Sequence, residues 1–147
     1  MTKTKKGPVF TEIALEIFKL GGLLVNEGDL MGSPYGITSA RWKIMGAIVR
    51  AGKPLTVPQI AKTMGLTRQA VQRLVDVMYA DGVLAFQTNP EHKRAKLIKL
   101  SEVGEEIYGK LDKKQVDWAQ TCSIHLTKQE LDTTLSVLKK MADMFDH

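Results

Sequence analysis

Leu55-Thr56-Val57-Pro58-Gln59-Ile60-Ala61-Lys62-Thr63-Met64-Gly65-Leu66-Thr67-Arg68-Gln69-Ala70-Val71-Gln72-Arg73 decides the fold of this chain. It reads as a short helix, a tight glycine turn and a second helix. Thr56 and Gln59 form a Thr-x-x-Gln capping box, in which each residue satisfies a backbone N–H that the first helical turn leaves unpaired. Pro58 is tolerated there because its missing N–H had no partner inside the helix. Val57, Ile60, Ala61 and Met64 give the first helix a buried side. Gly65 supplies the left-handed residue of the turn. Thr67 caps the second helix, whose Val71, Leu74, Val75 and Met78 recur at i, i+3, i+4 and i+7 and face the core. Arg68, Gln69, Gln72 and Arg73 fall on the opposite side, and Gly82 ends the helix.

Downstream, Val83 to Thr88 and Ala95 to Leu100 are rich in strand formers, with the turn signal Asn89-Pro90 between them. They predict a hairpin with a basic tip, His92-Lys93-Arg94, and with Lys96 and Lys99 behind it. Ile98 and Leu100 share a face with Lys96. Ser101 caps a long helix whose first turn carries Glu102, Glu105 and Glu106, which suits the helix dipole. Val103, Ile107, Leu111 and Trp118 mark its apolar side. Thr127 and Glu130 form a second capping box, followed by Leu131, Leu135, Leu138, Ala142 and Phe145 at spacings of three and four.

Upstream, Thr38 caps a helix to about Arg50, with Ile44, Met45, Ile48 and Val49 buried and Trp42 beside them; Gly52 and Pro54 end it. An earlier helix is expected from about Thr11 to Val25, with Ile13, Ile17, Leu20 and Leu24 at helical spacing and Phe10, Ala14 and Phe18 widening the stripe. Asn26 to Gly36 holds four Gly/Pro residues and reads as a loop.

The fold class is therefore mainly α with a small β-hairpin wing. A winged helix-turn-helix lobe spans 38–100. An N-terminal tail and dimerisation helix occupy 1–37, and C-terminal dimerisation helices 101–147, in one intertwined domain overall. The terminal helices carry more apolar surface than the winged core needs. A second copy of the chain would bury it, through Ile13, Ile17 and Leu20 at one end and Leu131, Leu135, Leu138 and Phe145 at the other.

Charge is unevenly spread. Residues 1–49 hold six Lys/Arg against four Asp/Glu, residues 50–100 nine against three, and residues 101–147 six against nine. The positive excess sits on the helix-turn-helix segment, as a phosphate-backbone binder requires. Cys122 is the only cysteine, so no intrachain disulfide forms; its distance in sequence from Lys113 and Lys114 favours a buried structural thiol over a reactive one. A reducing, cytoplasmic setting fits. No apolar run approaches the roughly 20 residues that span a bilayer. His92, His125 and His147 are too scattered for a metal site, and no catalytic constellation or cofactor motif stands out, which sets enzymes aside.

Two helices crossing at a short turn, joined to a basic hairpin, are the parts that place one helix in the major groove of double-stranded DNA. Arg68, Gln69, Gln72 and Arg73 are the expected readers, since Arg bonds guanine bidentately and Gln bonds adenine. An ordinary solvated face would have the same composition, but not the same position between a capped turn and a basic hairpin. His92, Lys93, Arg94 and Lys96 suit backbone or minor-groove contact, where a narrow groove concentrates negative potential. Thr56 and Gln59 can donate to phosphate from a helix N-terminus, or serve equally well as simple caps, and the cap Thr67 joins the expected DNA contacts. Lys3, Lys5 and Lys6 belong to a polar tail. The competing reading is a winged-helix module that docks protein without binding DNA. A protein-docking face would be more apolar than one carrying Arg68, Arg73, Lys93 and Arg94.

The run from Leu55 to Glu106 resembles the winged-helix core of MarR-type transcriptional regulators. The resemblance rests on Leu66-Thr67-Arg68-Gln69-Ala70-Val71-Gln72-Arg73-Leu74-Val75, Asp81-Gly82, Asn89-Pro90-Glu91-His92-Lys93-Arg94-Ala95-Lys96 and Leu100-Ser101-Glu102-Val103-Gly104. It implies a homodimer with two winged lobes, whose recognition helices enter successive major grooves of a near-palindromic operator while the wings occupy flanking minor grooves. It also implies a repressor released by a small aromatic or anionic effector, and it gives Arg94 the role of the family's wing arginine. One departure concerns the wing: the family usually places Asp before the basic pair, where this chain has His92. The family's peroxide-sensing branch carries a cysteine near the first helix, and none occurs there in this sequence.

Overall fold

The computed structural model describes residues 5–146; Lys3 and His147 lie outside them. Helix α1 spans Lys6–Gly32 and is followed by a single 3-10 turn, Ser33–Tyr35. Helices α2 (Ser39–Ala51), α3 (Val57–Met64) and α4 (Arg68–Ala80) come next, then strands β1 (Leu84–Gln87) and β2 (Leu97–Leu100). Helices α5 (Glu102–Ser123) and α6 (Lys128–Phe145) complete the order. The chain divides into two compact units, the first running through Leu111 and the second beginning at Asp112.

The first unit holds the core. Ile44 and Met45 of α2, Ile60 of α3, Val71, Val75 and Met78 of α4, Ile98 of β2 and Leu111 of α5 are fully enclosed. The capping chemistry sets the helix boundaries. Thr38, Thr56 and Thr67 each accept a backbone N–H three residues on, and the box between Thr56 and Gln59 is complete in both directions. Gly52 and Gly65 take left-handed φ values of 70° and 67° and close α2 and α3. Val49 departs from expectation. It is exposed, because it lies off the face on which Ile44, Met45 and Ile48 point inward.

The strands pair antiparallel, with Leu84 opposite Leu100 and Phe86 opposite Ile98. Leu55 adds an isolated bridge to Ile98 that the sequence pattern did not reveal. Its N–H donates to the Ile98 carbonyl at 3.0 Å, and the Ile98 N–H returns the bond at 2.7 Å. This bridge ties the base of the wing to the residue that precedes the Thr56 cap. At the open end of the hairpin, beside the Leu84–Leu100 pair, Ser101 Oγ donates to the Gly82 carbonyl at 2.6 Å and accepts the Gly104 N–H at 3.0 Å.

The first helix corrects the sequence reading. It continues seven residues past Val25, through the stretch read as a loop. Gly28 and Gly32 do not break it, because they serve packing: a Cβ on Gly28 would meet Ser39 Oγ, and one on Gly32 would meet the Ile37 carbonyl. With those side chains missing, the start of α2 approaches closely. Ser39 Oγ donates to the Val25 carbonyl at 2.6 Å, and Asp29 Oδ1 accepts the Ser39 N–H at 2.7 Å.

Apart from Gly28 and Gly32, no residue of α1 is buried within the chain. Ile13, Ile17 and Leu20 stand 37–53% exposed. In the second unit α6 has no buried residue; Leu135, Leu138 and Phe145 are exposed and Leu131 is half-buried. Thr127 and Glu130 form the expected capping box. Cys122 is exposed rather than buried, because it sits one residue from the end of α5, where few neighbours pack. No helix among the described residues is long and apolar enough to cross a membrane.

Candidate nucleic-acid interface

Helix α4 presents two sides. Val71, Val75 and Met78 are buried, while Arg68, Gln69, Gln72, Arg73 and Asp76 are exposed. Its N-terminus is held by Thr67, whose Oγ1 accepts the Ala70 N–H at 3.1 Å. Its C-terminal end is anchored by a shared contact: Arg41 Nη1 lies 3.3 Å from Asp81 Oδ2 and 3.4 Å from the Gly36 carbonyl. Arg41 thus links α2, the turn before it and the end of α4.

Between α4 and the wing runs an open groove of about 540 Å³. Six of the sequence-predicted DNA residues line it: Thr56, Arg68, Gln69, Gln72, Arg94 and Lys96. Val57, Pro58, Phe86 and Ile98 give it an apolar floor. The cluster joins the N-terminus of α3, the polar face of α4 and the root of the wing. Three cationic side chains therefore face one concavity with two carboxamides. Such a surface attracts phosphate through charge and offers base edges both donors and acceptors.

Thr67, Arg73, His92 and Lys93 do not line this groove. Arg73 is exposed on α4, and His92 and Lys93 are exposed at the wing tip. The Thr67 hydroxyl oxygen is occupied by its cap. Thr56 Oγ1 likewise accepts a cap bond, from the Gln59 N–H at 3.4 Å, and in both threonines the hydroxyl hydrogen is not consumed by the cap.

The wing turn is locally bonded. Asn89 Oδ1 accepts the Glu91 N–H at 3.1 Å, and His92 Nδ1 accepts the Ala95 N–H at 3.2 Å. The imidazole therefore supplies the acceptor that a carboxylate at this position would offer to the turn. His92 replaces the acid as a local cap while adding no negative charge beside Arg94.

The sequence reading missed two groove residues. Asp76 accepts a hydrogen bond from Gln72 Nε2 at 2.8 Å; its i,i+4 spacing from Gln72 was the signal that could have revealed it. Phe86 stacks on Tyr79 of α4, with ring centroids 4.2 Å apart and planes 11° from parallel. Lys96 Nζ lies 5.2 Å from the Phe86 ring centroid, within cation–π range. This stack joins the last turns of the exposed helix to the wing root.

Residues 35–95, the stretch that builds α2, the helix-turn-helix and the wing tip, match the MarR family. Over this stretch the chain is similar to that family. Its similarity extends beyond the matched stretch. An uncharacterized protein of Mycobacterium tuberculosis, Rv2011c, is 28% identical over 134 residues, which cover 86% of this chain and 92% of the relative. A mutant MarR from E. coli, solved in complex with operator DNA, is 27% identical with a TM-score of 0.71, covering 90% of this chain and 96% of that one. CouR from Rhodococcus jostii, solved with p-coumaroyl-CoA, shares the fold at a TM-score of 0.77 and 21% identity, covering 88% of this chain and 91% of that one. Members of the MarR family are transcription regulators, not enzymes.

Proposed function

We propose that this chain is a sequence-specific, double-stranded DNA-binding transcriptional regulator that acts as a homodimer on a near-palindromic operator in the cytoplasm. One observation carries the reading: Arg68, Gln69 and Gln72 of α4 share a groove with Arg94 and Lys96 of the wing. In that arrangement α4 reads base edges in the major groove, and Arg94 reaches the adjacent minor groove. Thr56, Thr67, Arg73, His92 and Lys93 add backbone contacts around it. The E. coli MarR complex with operator DNA supports the docking.

Repression released by a small aromatic or anionic effector is the regulatory mode that fits; the acyl-CoA ligand of CouR is a fold-level precedent for it. The exposed apolar faces of α1 and α6, which a second protomer would cover, support the dimer. Fluorescence anisotropy with labelled duplex DNA at two salt concentrations tests the reading. Binding that weakens steeply as salt rises is the expected result, since each neutralised phosphate releases counterions. No salt-dependent binding to any duplex would sink it and favour a winged-helix module that docks protein.

A further inference from the structure

Asp76 carries a negative charge in a groove whose other charged side chains are Arg68, Arg94 and Lys96. Resting on the DNA-reading function above, we propose that Asp76 is a specificity-determining residue, which fixes the Gln72 carboxamide for an adenine and keeps phosphate out of the same corner.

A free glutamine is an undiscriminating reader. Rotating its amide by half a turn exchanges the acceptor Oε1 and the donor Nε2, so it satisfies several base edges. In this chain Nε2 donates to Asp76 Oδ1 at 2.8 Å. An ionised carboxylate only accepts, so the reversed amide would set Oε1 against it and be repelled. The amide is held in one orientation. Its Oε1 and second N–H remain as an adjoining acceptor and donor. That pair matches the N6 donor and N7 acceptor of adenine in the major groove. Both side chains are exposed on α4, so nothing in the core requires the pairing.

The same carboxylate opposes non-specific binding. Phosphate attraction supplies most of the affinity for random sequence. A fixed negative charge beside Gln72 weakens that attraction without touching the base contact. Discrimination is the difference between the two, and Asp76 raises it from both sides.

The test uses the full-length chain. A preferred duplex is first selected from a random library, and the selection is repeated with Asp76→Asn and with Gln72→Ala. Asn keeps the shape of Asp76 but presents either an acceptor or a donor to Gln72, so the orientation is no longer imposed. Asp76→Asn is expected to bind scrambled duplex several-fold more tightly while losing on the order of tenfold in preference for adenine at one position of each half-site. Gln72→Ala is expected to lose preference at that same position, and the double variant to lose no more. A selection profile for Asp76→Asn identical to the parent, or equal weakening on selected and scrambled duplexes, overturns the proposal and leaves the DNA-binding reading intact. Failure of the unmodified chain to enrich any sequence overturns both.

Discussion

Arg94 is the proposed DNA contact with the most specific chemical rationale. It lines the groove between α4 and the wing, and a guanidinium there would gain from the negative potential of a narrow minor groove. Arg94→Ala should weaken operator binding by about 1–3 kcal/mol with fold and dimer unchanged; anisotropy and sedimentation together check it, and unaltered affinity removes Arg94 from the contact. His92 lies two residues before Arg94 in the wing turn. Its Nδ1 shares the Ala95 N–H with its own backbone carbonyl, so His92→Ala removes the side-chain half of that bond and loosens the wing tip, whereas His92→Asp keeps an acceptor there. His92→Ala should lower operator affinity while leaving the thermal midpoint unchanged, since an exposed turn bond adds little to global stability. A matching fall in the thermal midpoint would mean that His92 supports the fold instead. The shared exposure of Arg68, Gln69, Gln72 and Arg73 on α4 was legible in the sequence because helical spacing fixes which residues lie on one face. Asp76 was not singled out, because an acidic residue on a basic surface looks like solvated charge until its bond to Gln72 is seen. Cys122 misled for a related reason: thiols are usually buried, but a place near the end of α5 overrides the habit of the residue type.

At the scale of elements, glycine is the instructive residue, because it was read as one thing and serves two. Gly65 stands at φ 67° with open space where a Cβ would go, so its requirement is conformational alone. Gly65→Ala should cost about 1–2 kcal/mol, the penalty for an L-residue in the left-handed region. Gly32 is helical, and a Cβ there would meet the Ile37 carbonyl, a backbone atom that cannot rotate away. Gly32→Ala should therefore destabilise more than Gly65→Ala by forcing α1 away from the start of α2. Melting curves at equal protein concentration check the order, and a reversed ranking defeats the packing account. The boundaries of α2, α3 and α4 were legible because Thr caps and glycine stops act within a few residues. The end of α1 was not, since Gly28 and Gly32 answer to Ser39 and Ile37, which their own local sequence does not disclose. The Leu55 bridge was hidden for the same reason: a one-residue bridge has no period to read. The cap of α6 adds a pH dependence. Bonds from the Thr127 backbone N–H and then its hydroxyl lower the Glu130 pKa below its ordinary value. Stabilisation by this carboxylate is thus present at neutral pH and fades as the pH falls through the folded-state pKa. Glu130→Gln keeps an acceptor for the Thr127 N–H, so its helicity should be less sensitive to acid than the parent's; identical acid titrations by circular dichroism would remove Glu130 from that dependence.

For the whole molecule, the unresolved demand is apolar surface. Helix α1 is 27 residues long, about 40 Å at 1.5 Å per residue, and only its Gly28 and Gly32 are buried within the chain. Helix α6 buries none of its residues, yet Leu135, Leu138, Met144 and Phe145 are exposed along it. Most helical stability in proteins comes from packing an apolar face rather than from propensity. Faces of this size are interaction surfaces or aggregation hazards. The net charge is positive over residues 50–100 and negative over 101–147, which suits phosphate attraction by the first and protein pairing by the second. The proposed two-fold dimer would meet both needs, since it would cover the terminal helices and set two copies of α4 at a fixed separation on DNA. Removal of residues 127–147 should then give monomer or aggregate, and the operator affinity of any soluble fraction should fall steeply because two half-sites are no longer bound together. Sedimentation velocity and anisotropy on the same sample separate the two effects. A soluble, well-folded dimer from the shortened chain would place the interface elsewhere, with α1 as the surface that remains to make it.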